Sequence, residues 1–182
     1  MSTFYLVRHA HAEWTADENR PLSGRGRAHA EQVAGVLGGV PITAVYASPA
    51  RRARETIAPL AARLGLPIHI LPDLRERELC HGAVDDFFRA VKTTWSDPSF
   101  AHPGGESNAA AQRRVVAVLR RLQKRHPDKH VVLATHGNLL ALVLQHFDAR
   151  VDFAFWRSLT MPDVYALRVS VDSEVSVHRL WE

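Results

Sequence analysis

Four short apolar runs, each followed by a stretch with helical patterning, constrain the fold of this chain more than any other feature. The runs cover residues 4–7, 44–47, 68–71 and 131–134. The first run is unbroken, which is typical of a strand covered on both faces, as in a parallel sheet between helices, whereas the run at 68–71 contains His69. The sequence therefore predicts an α/β fold: a three-layer sandwich with a largely parallel central sheet flanked by helices.

Apolar residues at the spacing of one helix face predict five helices, and residues that favour helix ends mark their bounds. Ser48 is expected to cap the second helix, with Pro49 at its first position. Ser23 and Ser107 are predicted helix caps as well. The predicted helices cover residues 28–37, 48–64, 84–95, 107–125 and 138–145. A terminal hairpin is predicted over residues 164–171 and 175–180, joined across Asp172-Ser173.

The helix over residues 107–125 carries many cations on its predicted outer face. The residues expected to face outward are Arg113, Arg114, Arg120, Arg121 and Lys124, opposite an apolar face of Val115, Val118, Leu119 and Leu122. No aromatic side chain that would stack on bases interrupts the cations, so a solvated helix face is favoured over a nucleic-acid site.

Length and composition favour one globular domain over residues 1–182. The chain has 46% hydrophobic and 23% charged residues, which disfavours a disordered or fibrous protein. Cys80 is the single cysteine, so no internal disulfide is possible. The uncharged stretch at 130–147 contains His, Gly, Asn and Gln, so no membrane contact is expected. With no apolar leader-like run after Met1, these features predict a cytoplasmic protein.

Charged and polar side chains follow each predicted strand of the sheet. They are Arg8-His9, then Ser48 with Arg52, then Arg75-Glu76, and then His136-Gly137. Ligands of open α/β sheets bind beyond the carboxyl ends of the strands. We therefore expect two histidines, two arginines and a carboxylate to converge on one edge of the sheet.

These residue types suit the transfer of a phosphoryl group. Guanidinium groups match the oxygens of a phosphate, and neighbouring cations lower the pKa of an imidazole, which keeps His9 neutral and nucleophilic. Arg8, Arg52, His136 and Gly137 are expected to bind the phosphate. A carboxylic acid protonates the leaving oxygen and later deprotonates water, and Glu76 is the candidate.

Several linked motifs in the same order resemble the histidine phosphatase superfamily, also called phosphoglycerate mutase-like. The motifs are Leu6-Val7-Arg8-His9-Ala10, Pro21-Leu22-Ser23-x-Arg25-Gly26-Arg27-Ala28, Ala47-Ser48-Pro49-x-x-Arg52-Ala53-x-x-Thr56, Leu74-Arg75-Glu76-Arg77, Gly104-Gly105-Glu106-Ser107 and Thr135-His136-Gly137-Asn138. Several motifs in order are far more specific than Arg-His alone. The resemblance runs from residue 4 to about residue 145.

The resemblance implies a role for each residue at the strand ends. His9 matches the histidine that is transiently phosphorylated, and Arg8 and Arg52 match the phosphate-binding arginines. His136 matches the second histidine of the pocket, and Glu76 matches the proton donor. Cys80 stands where many members of the family have glycine, so Glu78 is kept as an alternative to Glu76.

A phosphatase that uses a phosphohistidine on His9 is the preferred function. The substrate would be a small phosphorylated metabolite or a phosphoprotein, including protein phosphohistidine. A phosphoglycerate mutase and a non-catalytic phospholigand-binding module are the alternatives. No cofactor, metal, nucleic acid or membrane is expected as a partner, and the sequence leaves the oligomeric state open. The Trp14 loop and residues 80–106 are predicted to line the pocket mouth.

Overall fold

A computed structural model describes residues 1–15, 17, 19–170 and 174–182, and a six-stranded sheet lies at the centre of this part of the chain. The strands are β1 (Ser2–Arg8), β2 (Ile42–Ala47), β3 (Ile68–Ile70), β4 (His130–Thr135), β5 (Asp163–Val169) and β6 (Val175–Arg179). Their order across the sheet is β3-β2-β4-β1-β5-β6. The first four strands are mutually parallel, whereas β5 and β6 are antiparallel to their neighbours.

Six α-helices and one 3₁₀ turn connect the described strands. They are α1 (Gly24–Leu37), α2 (Arg51–Leu64), the 3₁₀ turn (Pro72–Leu74), α3 (Phe87–Ser96), α4 (Asn108–Arg125), α5 (Gly137–Phe147) and α6 (Phe153–Ser158). Ser23 and Ser107 cap α1 and α4 as predicted, because each hydroxyl accepts a hydrogen bond from a backbone N–H in the first turn.

Side chains of β1 point alternately to the two faces of the sheet, and this alternation divides the core. Phe4 and Leu6 lie in a cluster with the inner faces of α4 and α5. Tyr5 and Val7 lie on the opposite face, packed with α1 and α2. All four are buried, as two-sided coverage of a parallel strand requires. The α/β class and the three-layer arrangement predicted from the sequence are confirmed.

Three local predictions were wrong. The second helix begins at Arg51 rather than Ser48, with Ala50 as its N-cap. The third begins at Phe87 rather than residue 84, because Asp86 caps it by accepting a hydrogen bond from Arg89 N. Arg114 does not face solvent: its side chain is 11% exposed and forms a two-pronged ion pair with Glu106.

The end of the chain departs from the sequence-based picture in one respect. Helix α6 was not predicted, since six residues are too few to show a clear helical period. The two strands of the terminal hairpin are present, but Asp172-Ser173, predicted to join them, lie outside the described residues.

Among the described helices, none combines the length and the apolar character needed to cross a membrane.

Candidate active site

The carboxyl ends of β1 and β4, neighbouring strands at the middle of the sheet, bring His9 and His136 together. Arg8 pairs with Thr135 in the parallel register, and the residue after each strand is a histidine. His9 N donates a hydrogen bond to Thr135 O at 3.0 Å. The two imidazole centroids are 5.2 Å apart, at an angle of 66°. The expected meeting of the two histidines is therefore observed.

The first turn of α2 places Arg52 beside both imidazoles. Arg52 Nε lies 3.3 Å from His9 Nε2, and Arg52 Nη2 lies 3.4 Å from His136 Nδ1. Because a guanidinium group only donates, both of these ring nitrogens must accept. The three side chains therefore present one cation and two ring lone pairs to the same small space.

Backbone contacts fix the tautomer of His9. His9 Nδ1 lies 2.8 Å from the carbonyl oxygen of Ala10, which only accepts, so the ring proton is on Nδ1. Nε2 then carries the lone pair that faces Arg52. Ala10 is itself held by Thr56: Ala10 N donates to Thr56 Oγ1, which donates to Arg52 O, at 2.8 and 2.7 Å. Thr56 thus links the backbones that position the imidazole and the guanidinium group.

Ser48 orients His136 instead of capping α2. Its Oγ lies 2.8 Å from His136 Nε2 and accepts a hydrogen bond from Ala50 N at 3.2 Å. Since His136 Nδ1 accepts from Arg52, the ring proton lies on Nε2 and is donated to Ser48. The Ser-Pro pair, which is typical of a helix start, here supports the site.

Both imidazoles are held neutral by burial and by surrounding cations. Burial lowers the pKa of His9 to about 3; the hydrogen bond to Ala10 opposes this shift, and the charges of Arg52, Arg8 and Arg20 add to it. Burial also lowers the pKa of His136 well below its ordinary value, with His9 and the same arginines acting in the same direction. A neutral imidazole is the form that can act as a nucleophile.

Arg8 is anchored on one side and enclosed on the other. Its Nη1 donates to the carbonyl oxygens of Leu159 and Thr160 at 2.8 and 3.1 Å. A Cβ at Gly137 would lie 2.9 Å from Arg8 Nε, so only glycine at the start of α5 leaves room for this guanidinium group. Arg8 Nε is buried and has no partner among the described residues, which leaves it free to bind an anion.

The Glu76 carboxylate lies at the N-terminus of α5. Oε2 accepts from Asn138 N at 2.9 Å, and Oε1 accepts from Leu139 N at 3.0 Å and from Arg77 N at 2.8 Å. These three backbone N–H groups hold the carboxyl group of Glu76 in place. In this arrangement Glu76 occupies the backbone N–H groups that α5 would otherwise offer to a phosphate.

Glu78, the alternative acid, is exposed. Its side chain forms no hydrogen bond or ion pair with any described residue. The charge of Glu76, in contrast, acts on the Arg8 guanidinium group. The geometry therefore favours Glu76 over Glu78 as the carboxyl group of the site.

Arg20 is a site residue that the sequence reading missed. Its charge lowers the pKa of both His9 and His136. Its Nε is buried without a hydrogen-bond partner among the described residues. The available signal was its position just before the Pro21-Leu22-Ser23 motif; an isolated antiparallel bridge joins Ala12 to Leu22 across this segment.

A cluster of aromatic side chains lies beside this site. Phe87 and Phe88 of α3 are 52% and 57% exposed, and both rings contact Trp156 of α6 at centroid distances of 6.3 Å. Phe153 stacks on Trp156, and the Arg157 guanidinium group lies over Phe88 at 5.4 Å. We call these four rings the aromatic cluster.

Both elements that carry the aromatic cluster are hydrogen-bonded to residues of the site. Helix α3 ends near Trp95, whose Nε1 donates to Asn138 Oδ1 at 3.0 Å. Helix α6 ends just before Leu159, whose carbonyl oxygen binds Arg8. Trp14, 83% exposed, belongs to the predicted mouth but forms no ring contact with the cluster. In the described part of the chain, no three His, Cys, Asp or Glu side chains are grouped as metal ligands.

Comparison with known proteins extends these observations. A family model described as "Histidine phosphatase superfamily (branch 1)" matches residues 4–182. A glucosyl-3-phosphoglycerate phosphatase from Mycobacterium tuberculosis is 31% identical over 157 residues, which is 75% of this chain and 70% of the relative. Phosphoserine phosphatase 1 from Hydrogenobacter thermophilus is 28% identical over 155 residues, or 75% of this chain and 71% of the relative.

Solved structures share the fold at lower identity. "Mycobacterial hydrolase 1" superposes with a TM-score of 0.80 at 23% identity, covering 97% of this chain and 96% of that one. A mycobacterial glucosyl-3-phosphoglycerate phosphatase complexed with inorganic phosphate superposes with a TM-score of 0.77 at 24% identity, covering 97% and 94%.

Proposed function

Because the chain belongs to branch 1 of the histidine phosphatase superfamily, we propose that it hydrolyses a phosphate monoester through a phosphohistidine formed on His9 Nε2. The observation that carries this proposal is the state of His9. The Ala10 carbonyl oxygen holds the proton on Nδ1, so a neutral imidazole directs its Nε2 lone pair at the space beside Arg52. The family agrees with the predicted enzyme class, a phosphoric monoester hydrolase of the histidine phosphatase type.

In the first step, the Nε2 lone pair forms a bond to phosphorus while the ester P–O bond breaks. The leaving oxygen takes a proton from the carboxyl group of Glu76. Arg8, Arg52 and Arg20 donate to the phosphoryl oxygens, whose charge they stabilise, and His136 Nδ1 accepts from Arg52 and so orients that guanidinium group. The positive charge that develops on the ring is stabilised through Nδ1–H by the carbonyl oxygen of Ala10.

In the second step, the Glu76 carboxylate accepts a proton from water as the water oxygen attacks phosphorus. The N–P bond breaks, its electron pair returns to Nε2, and inorganic phosphate leaves. His9 is again neutral and Glu76 is again protonated, so the cycle closes without a metal or cofactor as reactant.

Small phosphorylated metabolites are the proposed substrates. The relatives named for glucosyl-3-phosphoglycerate and phosphoserine support this class. The proposal includes one catalytic domain over residues 1–182 and a cytoplasmic location, as expected from the composition and the single Cys80. Product analysis with a phosphoglycerate distinguishes hydrolysis from the isomerisation that a mutase would catalyse.

The test is phosphate release from p-nitrophenyl phosphate in the presence of a chelator. The wild-type protein should turn over, and His9→Ala should lower kcat roughly a thousandfold or more, because it removes the nucleophile. His178→Ala, at an exposed histidine on β6, is the matched control and should retain wild-type activity. If the His9 variant turned over at the rate of the wild-type protein, the assignment would be refuted. If the wild-type protein bound phospholigands without turnover, it would instead be a binding module.

Glu76 can be separated from Glu78 by the leaving group. An alkyl phosphate needs its oxygen protonated, whereas p-nitrophenolate leaves without a proton. Glu76→Gln should therefore lower kcat/KM, which reports the first step, far more for the alkyl ester than for the nitrophenyl ester, and Glu78→Gln should leave both values unchanged. The reverse pattern would transfer the proton-donor role to Glu78.

A further inference from the structure

A groove of about 680 Å³ lies along the outer side of α4, apart from the candidate active site. Its lining residues are Gln112, Arg113, Val116, Ala117, Arg120, Arg121, Lys124 and His146. None of the residues that surround His9 takes part in this lining. Gln112 ties α4 to α5 by donating to the Leu142 carbonyl oxygen at 3.0 Å. The groove thus lies on two helices that are joined to each other. We call it the basic groove.

The cations of the basic groove are largely unneutralised. Arg113, Arg120 and Lys124 form no ion pair or hydrogen bond with any described residue, and no Asp or Glu from the described part of the chain lines the groove. Arg121 lies 3.8 Å from Asp73, which is equally far from Arg75. The neighbouring Arg114, in contrast, is neutralised by Glu106 at 2.6 Å.

Residue spacing on α4 explains why a groove forms there. Arg113, Ala117, Arg120 and Lys124 follow one another at intervals of four, three and four residues, which places them in one row on a helix. The small, exposed Ala117 leaves a gap between long side chains, and Val116, 6% exposed, adds a small nonpolar surface beside it. The row extends about 16.5 Å at 1.5 Å per residue. A ligand that engages the whole row must therefore carry several charges.

The size of the basic groove limits the class of occupant. Eight lining residues are far fewer than the 20–30 per side in a standard protein interface. No Phe, Tyr or Trp side chain from the described residues lines the groove, so the large rings that support single-stranded nucleic-acid binding by stacking are missing from it. A volume of 680 Å³ lies within the range of small-molecule sites.

We propose that the basic groove binds a small organic oligophosphate, such as the triphosphate of a nucleotide. Guanidinium groups bind phosphate oxygens in two-pronged pairs. Arg113, Arg120 and Lys124 contact the phosphate chain, and the nonpolar part of the ligand lies on Val116 and Ala117. This site is independent of the phosphatase reaction, and it provides a place where such a compound binds without entering the catalytic pocket.

Calorimetric titration tests the proposal with two probes, ATP and inorganic tripolyphosphate. Orthovanadate at saturating concentration blocks the catalytic pocket, so the remaining binding reports on other sites. We expect ATP and tripolyphosphate to bind in the presence of vanadate, with ATP binding more tightly because of its nonpolar part. Inorganic phosphate, which cannot span the row of cations, should bind there weakly at best.

The decisive variant reverses three charges of the groove: Arg113→Glu, Arg120→Glu and Lys124→Glu. The matched control reverses three exposed cations elsewhere, Arg25→Glu, Lys129→Glu and Arg168→Glu, and so changes the net charge equally. The groove variant should lose ATP affinity roughly tenfold or more, whereas the control should lose much less. Both should hydrolyse p-nitrophenyl phosphate like the wild type, which shows that they are folded.

Three results would overturn the proposal. They are equal loss of affinity in the groove variant and the control, unchanged affinity in the groove variant, and complete displacement of ATP by vanadate. Binding is measured directly, and if the wild-type protein hydrolyses no ester, thermal unfolding replaces p-nitrophenyl phosphate hydrolysis as the check that both variants are folded.

Discussion

The groups around His9 and the aromatic cluster lie side by side but differ in construction. His9 and His136 are 7% and 2% exposed, and backbone groups or buried hydroxyls hold both rings. Phe87 and Phe88 are more than half exposed, and ring contacts on the surface hold them. We call Arg8, His9, Arg52, Glu76 and His136 the inner layer. We expect the proposed reaction to depend on it, whereas the aromatic cluster can change at little cost to the chemistry.

The strongest test of this comparison is Arg52→Lys, which retains the charge but removes the guanidinium fork. Arg52 contacts both imidazoles through different nitrogens, and an ammonium group cannot reproduce that geometry. We expect kcat for p-nitrophenyl phosphate to fall by roughly a hundredfold to a thousandfold. Arg51→Lys, one residue earlier and exposed, is the control. A fall of less than about threefold would show that charge alone is sufficient there.

Gly137→Ala should have the next largest effect on the inner layer. The added methyl group would lie 2.9 Å from Arg8 Nε, so the guanidinium group must shift. A misplacement of about 1 Å costs on the order of a hundredfold in rate. Steady-state kinetics measure the effect, and Gly39→Ala, where a Cβ meets nothing within 4 Å, is the matched control. Equal kcat values for the two variants would contradict the tight fit around Arg8.

The burial of His9 predicts a pH-dependent cost in stability. Its folded-state pKa is about 3, whereas an unfolded histidine titrates near 6.5. Below pH 6.5 the unfolded chain binds a proton that the folded protein does not, so the free energy of unfolding falls as the pH drops towards 3. His9→Gln removes this contribution. The free energy of unfolding of the wild type should therefore fall by about 2 kcal/mol more than that of the variant when the pH is lowered from 7 to 5. Urea unfolding at both pH values, with His178→Gln as control, checks the difference.

The smallest effect is expected in the aromatic cluster. Phe88→Ala removes a ring that is 57% exposed. We expect less than about 1 kcal/mol of lost stability and a kcat for p-nitrophenyl phosphate within about twofold of wild type, since the inner layer is untouched. Thermal unfolding and steady-state kinetics measure both. If kcat fell as far as in the Gly137 variant, the division between the two regions would be wrong.

Sequence patterns predicted the inner layer well because each of its groups follows a strand. Apolar runs located the strands, and parallel strands end at one edge of the sheet, so residues far apart in sequence could be expected to meet. Arg8, His9, Arg52, Glu76 and His136 were found in this way. The order of the strands, with β4 beside β1, was not readable from those runs.

The remaining features depend on contacts that no local pattern encodes. Ser48-Pro49 is a typical helix start, but the hydroxyl hydrogen-bonds to a histidine 88 residues later. Arg114 has the same local pattern as the exposed Arg113, but it is paired with Glu106 and also donates to the carbonyl oxygens of the distant Asp73 and Arg75. Arg20 lies outside any strand end, so the rule that identified the other arginines did not apply.

The 5.2 Å between the imidazole centroids is close to the spacing of about 4.8 Å between neighbouring strands. Because β1 and β4 run side by side in register, main-chain hydrogen bonds set the distance between the backbones that carry the two rings. Substitutions in the helices or loops that leave this pairing intact should therefore keep the two histidines neighbours, even where the contacts with Ala10 and Ser48 that orient the rings are lost.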